Sequence, residues 1–318
     1  MVAGPIDASS TDATVRRSLE ATSPRYGEMA IRFFLFLCAA ISVAVTGAIV
    51  ISLFVPTFSF FQEVSVVEFF TGTLWAPAFA NASFGVLPIV VGTGIVVVIS
   101  LGVAIPIGLL ASVYLSEYAP SSVRRVVKPT LEVLAGIPTV AIGLFAFWFM
   151  RPLAETLLPF LPWQGPFSIG VAALAVGLLI VPVISSVSDD AMRAVPMALR
   201  EGAYALGATK FEVSTRVVFP AAISGIVAAV VLAGSRAVGE TMVVLIAAGA
   251  GNPHLTFDPT KGVQTMTSFI AGKATGDIPT GTIVYDTIFA VGALLFTSTL
   301  ILNMIAIRFV RRFREVYE

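Results

Sequence analysis

Arg236 and Glu240 lie in the run 222–249, which carries no other charge. A guanidinium is a planar fork of N–H donors whose geometry suits an oxyanion. At 1.5 Å per residue Arg236 is about 22 Å into that run, well inside a hydrocarbon core about 30 Å thick. A charge there costs at least about 2.5–3.5 kcal/mol on insertion scales, so it should face a bundle interior and find a partner. Glu240, four residues on, shares its helical face and can supply one. In one reading the pair handles a passing anion, with Glu240 keeping binding weak enough for release. In the other it is an internal ion pair that fixes the helix against its neighbours.

Other chemistry is missing. Cys38 and His254 are the only residues of their types, so no Cys/His metal cage can be assembled. No Ser/His/Asp or Cys/His set suggests catalysis, and no cofactor is implied. Lys128, Lys210, Lys261 and Lys273 all lie outside the G-x-x-x-x-G-K-[ST] pattern of a phosphate-cradling loop. The chain is therefore expected not to be an enzyme, and any ATP drive must come from another subunit.

The elements that must position Arg236 are membrane helices. Of 318 residues, 57% are hydrophobic and 12% charged, with a mean hydropathy of +0.95. Soluble domains carry about 25% charged residues. Lys+Arg and Asp+Glu both total 19, which argues against nucleic acid as a partner. Gaps between charges predict six spans, at about 31–55, 84–115, 132–150, 168–187, 222–249 and 283–307. Glu132 and Asp286 fall at span edges, where snorkelling or capping accounts for them. Gly92, Gly94, Gly102, Pro106 and Gly108 lie in the second span, which fits either a flexible pore-lining helix or close helix packing.

Fifteen Lys and Arg fall on the side of the two termini and of the loops after spans 2 and 4, against Arg151, Lys261 and Lys273 opposite. That bias puts both termini in the cytoplasm. Residues 1–29 read as a polar cytoplasmic tail, 30–310 as the permease domain and 311–318 as a second tail. Lys261 and Lys273 belong to an external loop of about 250–282.

The loop 188–221 is expected on the cytoplasmic side. Asp189 or Asp190 can cap a helix, Pro196 suits a first turn, and 197–206 favours helix. Gly207 sits where a left-handed residue would end it, and a second short helix runs from about Thr209 to Phe219. Leu199, Ala203 and Leu206 share one face at helical spacing, with Arg200 and Glu201 beside it.

This loop resembles the EAA motif of ABC importer permeases: Glu-Ala-Ala, three residues, Gly, nine residues, Ile, any residue, Leu-Pro. The matching positions are Glu201, Gly202, Ala203, Gly207, Val217, Phe219 and Pro220. Gly202, Val217 and Phe219 depart conservatively from the pattern. The resemblance implies a type I ABC importer permease fold in which this helix, Leu206 included, docks on an ATPase and transmits its closure to the pore. FFTGTLWAP at 69–77, FGVLPIVVGT at 84–93, LEVLAGIPTVAIGLFAF at 131–147, YALGATKFE at 204–212 and SRAVGETMVVLIAAG at 235–249 are similar to phosphate importer permeases. The run from Met242 is nearer the PstC half than the PstA half.

That likeness covers about 30–310. It implies a multi-pass subunit of the bacterial inner membrane, a PstA-type partner, two PstB-type ATPases and an external PstS-type phosphate-binding protein. It also matches Arg236 and Glu240 to the family's intramembrane pair on the phosphate path. Alternatives are a molybdate or sulfate permease, a secondary transporter, or a polytopic membrane protein that binds phosphate without an ATPase.

Overall fold

The computed structural model describes residues 26–276 and 278–312. The expected tails before residue 26 and after 312 lie outside them. The chain forms two compact units that divide between Ser52 and Leu53. Of the first, residues 26–52 are helical and belong to α1 (Tyr26–Glu63), 38 residues long. The helix starts before 31 and continues past 55. Glu28 and Arg32 bound the apolar stretch at its start but lie inside the helix, whose last residue is Glu63.

In the second unit, α2 (Val66–Thr71) leads to a hairpin of β1 (Trp75–Ala76) and β2 (Ser83–Phe84). Helix α3 (Leu87–Val113) follows and ends in a π-helical turn, Tyr114–Tyr118. Next come α4 (Ser121–Leu134), α5 (Thr139–Phe145), a second π-turn (Ala146–Met150) and α6 (Arg151–Leu157). Helix α7 (Ile169–Arg193) begins at Ser168, whose side chain accepts from the Val171 N–H at 3.2 Å. The loop region holds α8 (Met197–Ala205), α9 (Lys210–Glu212), a third π-turn (Val213–Val218) and α10 (Phe219–Ala221). Finally come α11 (Ile223–Gly239), α12 (Met242–Ala247), α13 (Met266–Ala274) and α14 (Ile283–Arg312).

Among the described residues, five helical runs are long and apolar enough to cross a membrane: α1, Leu87–Tyr118, Thr139–Leu157, α7 and the part of α14 to Arg308. The pair Lys210–Ala221 and Ile223–Gly239, bent by 69°, makes a sixth when counted as one. The fold is thus mostly helical, with several candidate membrane spans and one short hairpin. The third span begins at Thr139 rather than 132, because Gly136 and Pro138 interrupt the backbone and Glu132 belongs to α4. It also continues past 150. Arg151 is buried, donates to the Gly165 carbonyl at 2.9 Å and lies over the Trp163 ring, so a charge does not end the helix. The expected continuous span 222–249 is broken at Glu240 and Thr241. The loop about 250–282 contains α13.

The core is built on α3 against α7. Val96 and Ala104 meet Ala172, Val176, Ile180 and Ile184 in one buried cluster. A Cβ on Gly108 would come within 2.8 Å of the Ile184 side chain, so here glycine serves close packing. Gly94 and Gly102 face open space instead. Phe60, Phe69, Trp75, Phe84 and Phe269 pack edge to face near the start of α3, with Trp75 and Phe269 centroids 4.9 Å apart.

Candidate functional site

Arg236 is on the last turn of α11, and the helix stops at Gly239, before Glu240. Glu240 has extended backbone, φ −67° and ψ 125°, so the two residues do not stack at helical i,i+4 spacing. This corrects the expectation of an ion pair on one face: among the described residues neither makes a salt bridge. The buried Glu240 side chain turns forward, and its Oε1 accepts from the Val243 N–H at 3.3 Å. A carboxylate at the start of α12 is favoured by the helix dipole. The Glu240 carbonyl accepts from the Thr267 hydroxyl at 2.8 Å, which ties the break to α13.

Arg236 is half-buried, and its Nη2 donates to the Ala135 carbonyl at 3.3 Å. Ala135 closes the C-terminal end of α4, where the dipole also favours a cation. A guanidinium has five N–H donors. No carboxylate lies within ion-pair distance of it among the described residues, so its charge remains available to a bound anion. The break at Gly136 and Pro138 is what brings the α4 terminus to Arg236.

The second candidate feature is the loop from α8 to α10. Helix α8 ends in a Schellman motif: Ala208 N–H donates to the Ala203 carbonyl at 3.1 Å, and Gly207 N–H to the Tyr204 carbonyl at 2.9 Å. Gly207 has φ +81°, the left-handed conformation expected of it. Thr209 then starts α9 through a capping box with Glu212. Proline at 220 withholds an N–H donor from the last turn, and the chain bends at Ala222.

Glu201 and Gly202 face outward, while Ala203 is half-buried against Val213 and Val218. Ala203 therefore does not share an exposed face with Leu206, which is 91% exposed. Phe219 is half-buried and Pro220 exposed. Met197, Leu199, Tyr204, Leu206 and Phe211 are exposed apolar side chains of this loop.

Two charge clusters were not read from the sequence. Asp189 and Asp190 cap no helix start, since they occupy the last turn of α7. Asp189 is fully buried, with Arg124 at 2.7 Å, Lys128 at 3.2 Å and Arg193 at 3.7 Å. Lys128 also pairs with Asp190. Burial works against the Lys128 ammonium, but its hydrogen bonds to Asp190 and Asp189 outweigh this and hold its pKa above the usual lysine value. The i,i+4 spacing of Arg124 and Lys128 was the available signal. The other cluster joins Arg200 to Glu117.

Several candidate spans, one of them broken at Glu240 and Thr241, describe a multi-span membrane protein. The chain belongs to the family of binding-protein-dependent transport system inner membrane components, whose model matches residues 104–315. It is 32% identical over 289 residues to a probable ABC transporter permease protein, YqgH, of Bacillus subtilis, covering 90% of this chain and 91% of that one. It is also 32% identical to the phosphate transport system permease protein PstC of Mesorhizobium japonicum, over 95% of this chain and 94% of the relative. Among solved structures, a bacterial alginate ABC transporter in complex with an alginate pentasaccharide-bound periplasmic protein shares the fold. There the TM-score is 0.62 at 14% identity, covering 91% of this chain and 98% of that one.

Proposed function

We propose that this chain is the PstC-type permease subunit of an ATP-driven importer that carries inorganic phosphate across the bacterial inner membrane. The reading is carried by the similarity to a phosphate permease over 95% of the chain. Arg236 adds to it, as an intramembrane guanidinium without a carboxylate partner among the described residues. The subunit would work with a PstA-type permease, two PstB-type ATPases and an external PstS-type phosphate-binding protein. Both termini would be cytoplasmic, in line with the Lys and Arg bias. ATP hydrolysis would belong to the partner chains, and the apolar surface around Leu206 is where an ATPase would dock. Docking on α8 would then switch the Arg236 site from one side of the membrane to the other.

The test is uptake of labelled phosphate at limiting concentration by cells lacking the gene, with and without a restored copy. Restored uptake that excess sulfate or molybdate does not compete away is expected. No restoration with the protein present in the membrane would remove the phosphate assignment and direct the assay to the other oxyanions.

Gly207→Val tests the docking helix. A β-branched side chain has room there but must adopt φ +81°, at a cost of about 1–2 kcal/mol. The Schellman turn should open and displace Leu206. Uptake and ATPase stimulation should both fall several-fold at an unchanged amount of complex. Wild-type values for both would exclude docking through this helix.

A further inference from the structure

We propose that the ion pair between Arg200 and Glu117 is the joint that delivers movement of α8 to α3, and so to the Arg236 site; this rests on the importer reading above. Arg200 is the one buried residue of α8. Its Nη2 lies 3.1 Å from Glu117 Oε1, and the two side chains are 11% and 6% exposed. The same guanidinium donates to the Val195 carbonyl at 2.6 Å and the Met192 carbonyl at 2.8 Å, which closes the end of α7. One side chain therefore holds α8, the end of α7 and the end of α3 in a fixed mutual orientation.

The covalent connections of α8 are poor levers by comparison. Pro196, with ψ 137°, separates it from α7, and Gly207 separates it from α9. The apolar contacts of Ala203 and Ala208 with Val213 and Val218 are non-directional and let surfaces slide. A charge-assisted fork with three acceptors transmits direction.

Glu117 also sits in the π-helical turn Tyr114–Tyr118 that ends α3, a rare geometry that is frequent at functional sites. A second contact from the loop reaches that turn: Lys210 Nζ lies 5.0 Å from the centroid of the Tyr118 ring. Farther along, α3 meets α11 at Leu101, whose Cδ1 lies 3.5 Å from the Cβ position of Gly234, two residues before Arg236. Displacing the Glu117 end of α3 thus bears on the helix that carries Arg236. Arg200 and Glu117 are positioning residues and touch no substrate.

The experiment uses the whole complex in proteoliposomes, reading ATP hydrolysis with and without phosphate-loaded binding protein. Glu117→Gln keeps the side-chain size and an acceptor oxygen but removes the charge. It should lower the stimulated-to-basal ratio by about tenfold, within the usual span of coupling between sites. Basal hydrolysis per assembled complex should not change, although Arg200 loses its buried counter-charge and the abundance should fall. Arg200→Lys keeps the charge but not the fork, so it should assemble and give an intermediate ratio. Combining Glu117→Gln with Arg200→Gln should be no worse than the more damaging single change, because both break one joint. A wild-type ratio per complex in Glu117→Gln or Arg200→Lys, even at reduced abundance, would overturn the proposal and leave the pair a purely structural clamp. Failure of the unmodified complex to respond to loaded binding protein would overturn the importer reading, and the joint with it.

Discussion

Arg236→Gln is expected to lower phosphate uptake at least tenfold while the complex still accumulates in the membrane. Removing a charge from the last turn of α11 lowers the cost of insertion, so the fold should not suffer. What disappears is a donor fork that no carboxylate neutralises among the described residues. A hydrogen bond to a charged group is worth about 1.5–3 kcal/mol, so losing one predicts at least a tenfold fall in passage. Arg236→Lys should recover part of the activity, since it restores the charge without the bidentate geometry.

The broken helix adds a sharper test. Glu240 bonds Val243 and not Arg236, so the effects of Arg236→Gln and Glu240→Gln on uptake should add to within about 0.5 kcal/mol. Strong coupling between them would mean that they pair in the working complex. Normal uptake by Arg236→Gln would leave the arginine a structural element that holds the Ala135 carbonyl.

The structure explains why some features could be read from the chain and others not. Six apolar runs and the fold class follow from charge spacing, because a charge in hydrocarbon is costly at every position. Gly207 was readable because only a residue without a Cβ adopts its φ of +81° cheaply. The break at Glu240 was not readable, because Gly239 alone does not end a helix. The break is held by Glu240 Oε1 on Val243 and by Thr267 on the Glu240 carbonyl, the latter a contact 27 residues distant in the chain. The clusters at Asp189 and Arg200 failed for the same reason: their partners are 61, 65 and 83 residues away. Local spacing shows that a charge exists, while its partner depends on packing.

Asp189→Ala should give the largest loss of stability in the loop region. The Asp189 carboxylate is fully buried and receives Arg124 and Lys128 from α4, with Arg193 at 3.7 Å from its own helix. Three cations offset the unfavourable position of an acid at the C-terminal end of α7. Removing one partner of a buried ion pair costs about 3–5 kcal/mol, because the remaining charges stay desolvated. Partial exposure of Arg124 and Lys128 moves the expectation to the lower end of that range.

Asp190→Ala is the matched control. Its side chain is 63% exposed, so it should cost no more than about 1 kcal/mol despite its bond to Lys128. Thermal unfolding of the detergent-solubilised complex would separate the two. The lysine adds no pH dependence near neutrality: its folded pKa is raised, so its contribution is complete below the unfolded lysine value, about 10.4, and is lost only as pH rises through the higher folded one. Equal, small effects of the two substitutions would show that the buried Asp189 charge is not what holds α4 to α7.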